Sequence, residues 1–196
     1  MATVNVKPPA ARAGRKRSDD SRLAILAAAV ELVGEVGYAR LTIEGIAARS
    51  GAGKQTIYRW WPSKADVLYD ALAAKADLHI PVTDHGAYAE DLRAFLTASF
   101  RLADPVLLDV LRALMAHAQI DTAFGDRFRE SFLYRRRDAL GEIVARAGER
   151  GDLPPGISPD TVADIVFGVI WYRVLATRRP PGDDLADELV TALTGH

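Results

Sequence analysis

GAGKQTIYRWWPSKADVL, residues 51–68, sets two glycines, four polar or basic side chains and an adjacent tryptophan pair in front of a proline. A helix that starts near Gly53 must stop before Pro62, because proline has no N–H and restricts the residue before it. At about 100° per residue, Lys54, Gln55, Tyr58 and Arg59 share one arc. Ile57 and Trp61 lie opposite, with Gly53 and Trp60 beside them. The arrangement predicts a short helix anchored by Ile57 and Trp61, with its polar arc turned outward.

Working outward, LTIEGIAARS (residues 41–50) reads as a second short helix that Thr42 caps and that ends near Arg49. Ile43, Ile46 and Ala47 point inward, and Ser50–Gly53 forms a tight turn. Two short helices joined by a glycine-containing turn make a helix-turn-helix. In that arrangement the outward N-terminal residues of the second helix reach base edges in the major groove. Lys54 can donate to guanine O6/N7 and Gln55 can pair with adenine N6/N7. Tyr58 and Arg59 can reach phosphates or thymine methyl groups.

On the C-terminal side, Ser63 opens another helix, with Asp66 at the capping-box position in place of glutamate. It runs to about residue 78, and IPVTDHG (80–86) breaks it. On the N-terminal side, Ser18 is the expected cap of a first helix with Asp19 and Asp20 in its first turn. Leu26, Val30 and Val33 form its apolar stripe, flanked by Ile25, Leu32 and Val36, and Gly37 supplies a left-handed stop. Residues 1–17, rich in proline, alanine and basic groups, read as a disordered arm. Its Arg12, Arg15, Lys16 and Arg17 either enter a minor groove and track phosphates or only solubilise the chain.

The remainder is helical by its periodicity, at about 87–103, 105–118, 121–150, 159–179 and 183–194. Pro105, the 151–156 stretch and Pro180–Gly182 punctuate it. No strand alternation and no repeat is present. The expected fold is all-α, with about nine helices. A three-helix helix-turn-helix bundle spans 18–64 and a larger helical domain spans 65–196.

Charge divides along the same line. Residues 1–64 hold 11 Lys and Arg against 5 Asp and Glu, and residues 65–196 hold 14 against 21, within a net charge of −1. A basic front and an acidic back point to a polyanion met by the front alone. Cysteine is absent, which excludes disulfides and thiolate metal sites. His79, His85, His117 and His196 are scattered, without metal-ligand spacing. No phosphate loop or nucleophile elbow occurs, so neither an enzyme nor a cofactor is expected. No apolar run nears the ~18 residues of a membrane span, and the N-terminus has no signal-type stretch. A cytoplasmic protein without a membrane partner is the simplest expectation.

Residues 20–70 resemble the DNA-binding domain of TetR-family transcriptional regulators. The matching parts are Gly37–Tyr38, Thr42, Ile46–Ala47, Gly51, Tyr58 with Trp61, and Ser63–Lys64. The resemblance implies a homodimer that sets two recognition helices on palindromic operator DNA, and a C-terminal domain that takes a small-molecule inducer. It also implies phosphate contacts from Thr42 and Lys64. Lys54, Gln55 and Thr56 would lie nearest the bases, with Tyr58 on backbone or base. Arg59 and Trp60 depart from the family pattern, yet sit at the same surface. Glu44 stands where some members carry a basic reader. A carboxylate there repels phosphate or accepts from cytosine N4.

In the larger domain, Phe95, Phe100, Leu108, Leu111, Met115, Phe132 and Trp171 are candidate pocket linings, with His117 and Tyr134 as polar anchors. A ligand there could tilt the helix that opens at Ser63. A C-terminal domain that binds a protein instead of a small molecule is the alternative. The last two helices resemble the four-helix dimer interface of one common C-terminal type. Their stripes are Ile165, Val169, Tyr172 and Leu175 or Ala176, and Leu185, Leu189 and Leu193.

Overall fold

A computed structural model describes residues 11–75, 82–101 and 104–195. The helices are α1 (Ala11–Arg40), α2 (Ile43–Ser50), α3 (Lys54–Trp60), α4 (Lys64–Lys75), α5 (Tyr88–Phe100), α6 (Pro105–Ala118), α7 (Thr122–Phe128), α8 (Arg135–Arg150), α9 (Pro159–Trp171) and α10 (Asp183–Thr194). Two π-helical segments interrupt the regular winding. Arg129–Tyr134 joins α7 to α8, and Tyr172–Thr177 extends α9. The all-α architecture agrees with the sequence. The described residues form nine uninterrupted helical stretches and no strand. The chain divides into two compact units, residues 1–71 and 72–196.

In the first unit α1 begins earlier than the sequence implies. It already includes residues 11–17, so Ser18 lies inside the helix and caps nothing. Residues 1–10 and the side chains of Arg12, Arg15, Lys16 and Arg17 lie outside the described residues. Gly37 has φ 75° and ψ 162°, a region essentially closed to residues with a Cβ. It kinks α1, and one further turn follows it. Ile25, Leu26, Val30 and Val33 are buried with Ile43, Ile46 and Ala47 of α2 and Ile57 of α3. Val67 and Leu68 are fully buried, and Asp70 is bonded to Trp61. The first unit accordingly runs to Ala71 and takes in about two thirds of α4.

In the second unit Tyr88, Leu92, Phe95 and Leu96 of α5 pack with Leu140, Ile143 and Val144 of α8, Val162 and Val166 of α9, and Leu185, Leu189 and Leu193 of α10. The α10 stripe thus faces its own core, and this corrects its assignment to a dimer interface. On the α9 stripe Ile165, Tyr172 and Leu175 are exposed, while Val169 is partly buried against the core. The loop before α5 is fastened through Asp91, whose carboxylate is fully buried. It accepts from the His85 backbone N–H at 2.7 Å, Arg150 at 3.1 Å and Arg146 at 3.3 Å. Burial pushes this carboxyl up, but those donors outweigh it and hold it below its ordinary range.

Candidate nucleic-acid interface and ligand cavity

The Gly51 left-handed turn at φ 69° ends α2 and lets α3 start from Gly53. Thr42 Oγ1 accepts from the Gly45 N–H at 3.0 Å and so caps α2. Ser63 and Asp66 form the capping box of α4. Asp66 Oδ2 accepts from the Ser63 N–H at 3.1 Å, and Ser63 Oγ accepts from the Asp66 N–H at 3.3 Å. Between these caps α3 is held from beneath by Ile57 and Trp61, both buried. The Trp61 indole donates to Asp70 Oδ2 at 2.9 Å, and Arg22 donates to the same oxygen at 2.7 Å. This three-way junction fixes the roll of α3 about its own axis.

The roll turns Lys54, Gln55, Tyr58 and Arg59 to solvent, with Thr42 exposed nearby and Thr56 and Trp60 half-buried. The helical-wheel arc is therefore the exposed face. Two cations among the candidate DNA contacts are not simply free. Lys54 pairs with Glu44 at 2.9 Å, linking α3 to α2. The Lys54 ammonium holds the Glu44 carboxyl below its usual range. Lys64 donates to the carbonyls of Tyr38 and Leu41, each at 2.8 Å, and lies over the Tyr38 ring. Burial pushes its ammonium down from the ordinary lysine value. Arg59 has no carboxylate partner among the described residues and rests over Trp60, 5.5 Å from the ring centroid. Arg49, which also lies in the basic front, pairs with Glu35 at 2.8 Å and Glu31 at 3.3 Å.

The second unit holds a cavity of about 200 Å³, built where the two π-helical segments face α5 and α6. Of the residues singled out in the sequence, Phe100, Leu108, Leu111, Phe132, Tyr134 and Trp171 line it. Phe95, Met115 and His117 do not. Phe95 is buried in the core against Phe167, their ring centroids 6.4 Å apart. Met115 is one turn of α6 beyond Leu111 and half-buried. His117 packs its ring against Phe124 at 5.0 Å and approaches Asp121 at 3.7 Å.

Sequence reasoning missed Ser99 and Arg136, which also line the cavity. Arg136 is the middle of three successive arginines, Arg135–Arg137. Its neighbour Arg137 does point outward, to Asp164 at 2.8 Å and Asp160 at 3.1 Å. Arg136 is 9% exposed, and its Nη1 has no hydrogen-bond partner among the described residues. Its guanidinium lies 5.3 Å from the Phe132 ring centroid. Burial pushes it down to about 10, still charged at neutral pH. The usable signal was position. Arg136 lies four residues past Phe132 and on its face.

Residues 25–71 match the model of the tetR family of bacterial regulatory proteins. Residues 82–193 match the tetracyclin repressor-like C-terminal domain. The chain belongs to the TetR family. The HTH-type regulator YdeS of Bacillus subtilis (strain 168) is 31% identical over 92% of this chain and 89% of its own length. The crystal structure of the TetR family regulator SCO0332 is 31% identical, with a TM-score of 0.63, covering 88% of this chain and 95% of that one. The fold also resembles FadR from Bacillus subtilis in complex with stearoyl-CoA, at 22% identity, TM-score 0.73, and 88% and 97% coverage. TetR-family proteins are DNA-binding transcriptional regulators and not enzymes. No helix among the described residues is long and apolar enough to cross a membrane.

Proposed function

We propose that this TetR-family chain is a homodimeric repressor, released from palindromic operator DNA by a small amphipathic molecule. The observation that carries the reading is the pairing of two features in separate units of one chain. α3 presents a rigidly held, exposed polar arc, and the second unit contains an apolar cavity with a few polar groups, the usual make-up of a ligand site. Lys54, Gln55 and Thr56 read base edges, and Tyr58, Arg59 and Trp60 flank them. Thr42 and the remaining proton of Lys64 meet phosphates.

A dimer is supported by the exposed Ile165, Tyr172 and Leu175, an apolar stripe that a second copy would cover. A two-fold pair must hold its recognition helices about 34–36 Å apart, or a multiple of one turn, to sit in successive grooves. A ligand that shifts α4 changes that spacing at both half-sites. The FadR neighbour, which is in complex with stearoyl-CoA, supports an amphipathic occupant for such a C-terminal unit.

Footprinting on the DNA upstream of the chain's own gene, repeated with candidate ligands, tests the reading. The expected result is a symmetric footprint lost on ligand addition, from a protein of dimeric mass by light scattering. A monomer, or an asymmetric footprint insensitive to every ligand that binds the cavity, overturns it.

A further inference from the structure

Among the described residues, Arg136 is a buried cation without a counter-charge. No carboxylate lies among the residues lining its cavity, and its Nη1 has no partner. Ser99, on the same cavity, is also buried with its hydroxyl unbonded. Arg137, which also lines the cavity, and Arg112 of α6 are occupied. Arg137 binds Asp160 and Asp164, and Arg112 binds Asp109 and the Val174 carbonyl. Buried charges in native proteins are normally paired, and an unpaired one calls for an explanation. A guanidinium is also a poor choice as mere filler, since its donor fork matches a carboxylate in two parallel hydrogen bonds.

We infer that the cavity is completed by an organic carboxylate, its head paired with Arg136 and its apolar body held between Phe100, Leu108, Leu111 and Trp171. The Ser99 hydroxyl supplies a further hydrogen bond. This rests on the ligand-site reading above and specifies the chemical class. The volume bounds the size. About 200 Å³ exceeds the ~150 Å³ cavity that takes benzene, which suits an aryl-acetate or a medium-chain acid. A quaternary ammonium or other cation would meet Arg136 with like charge.

Isothermal titration of the full-length protein with octanoate and phenylacetate, against octanamide, phenylacetamide and octyltrimethylammonium, tests the inference. The acids should bind about tenfold or more tightly than their amides, the advantage of a charge-assisted pair. Arg136→Met should erase that preference while leaving amide binding in place, and Arg137→Ala should keep it. Replacing an unpaired buried charge by an apolar side chain of similar shape is neutral or stabilising, so the variant should melt no lower than wild type. Arg136→Lys is the second variant, retaining the sign of the preference at reduced size. Acids and amides that bind alike, a preference that survives Arg136→Met, tighter binding of the cation, or no binding of either acid overturns the inference. Acids that bind through Arg136 yet leave operator DNA bound sink the release reading alone. Amides that release DNA as well as acids sink the inference alone.

Discussion

Lys64 Nζ donates to the backbone carbonyl of Tyr38 at 2.8 Å and stands 4.3 Å from the centroid of the same residue's ring. With the Leu41 carbonyl also at 2.8 Å, this one ammonium closes the C-terminal end of α1 against the start of α4. Positive charge at a helix C-terminus is favourable. A residue that the family resemblance assigns to phosphate therefore has a structural task as well.

Lys64→Ala is accordingly expected to do two things. It should lower stability by about 1–2 kcal/mol, since two carbonyls lose their donor. It should also weaken binding to all DNA sequences and reduce the slope of log affinity against log salt by about one. Calorimetry and fluorescence anisotropy across a salt series measure the two effects. A lowered melting temperature with an unchanged salt slope would leave Lys64 as a purely structural residue.

The Lys54–Glu44 pair gives a second expectation. Gln55→Ala and Lys54→Ala should change base preference, because a good bidentate base contact discriminates by roughly 1–3 kcal/mol. Glu44→Gln should raise affinity for operator and random DNA together, since it removes a carboxylate beside the reading face and frees the ammonium. Binding to a panel of operator variants measures both. Uniform losses for Gln55→Ala and Lys54→Ala would place base reading elsewhere.

Asp91 sets a pH-dependent contribution to stability. Its folded carboxyl is held below the ordinary value of 3.8, so its stabilisation is fully present above that value. It is lost as pH falls through the depressed folded value. Asp91→Asn should cost about 3 kcal/mol at neutral pH, because Arg146 and Arg150 lose a buried counter-charge. The gap between wild type and variant should narrow below about pH 4. Denaturant melts from pH 7 to pH 2 follow this, and a gap constant across the range would remove Asp91 from the linkage.

Trp171 lines the cavity and is only half-buried. Trp171→Ala should therefore change ligand response while leaving operator affinity nearly intact. Anisotropy of labelled operator, titrated with a cavity-binding acid, reads both. A normal response from a folded Trp171→Ala dimer would make this tryptophan a packing residue.

The reading head was legible because local rules govern it. Thr42, Gly51, Gly53, Ser63 and Asp66 each act within three or four residues, and the caps and turns fall where they predict. The start of α1 was not legible. Ser18, Asp19 and Asp20 make a good cap in isolation, but they equally tolerate a helix already under way. In the second unit a 3.6-residue period shows which residues are apolar but not which of two apolar surroundings receives them. Phe95 and Phe100 look alike in sequence and both join the buried core, yet only Phe100 also lines the cavity, and the packing of α5 decides that. Leu185, Leu189 and Leu193 raise the same question, and the subunit core took them. Arg136 was hidden among Arg135 and Arg137, since three successive arginines say nothing about which one turns inward.

The π-helical segment Arg129–Tyr134 has a consequence for the evolution of this cavity. A π turn arises when one extra residue is accommodated without breaking the helix, and each residue of an α-helix advances the face by about 100°. The segment thus absorbs a residue locally, between the stacked rings of Phe124 and Phe128 and α8, without carrying α8 out of phase. Losing one residue within 129–134 would restore regular winding and leave the face of α8 that carries Arg136 nearly where it is. What would change is the segment itself, whose Phe132, Leu133 and Tyr134 line the cavity. Single-residue insertions and deletions here would therefore reshape the cavity wall in one step, while the stripes that build the core stay in register. Among relatives of this chain, length variation at this point is where a change of ligand class should be sought.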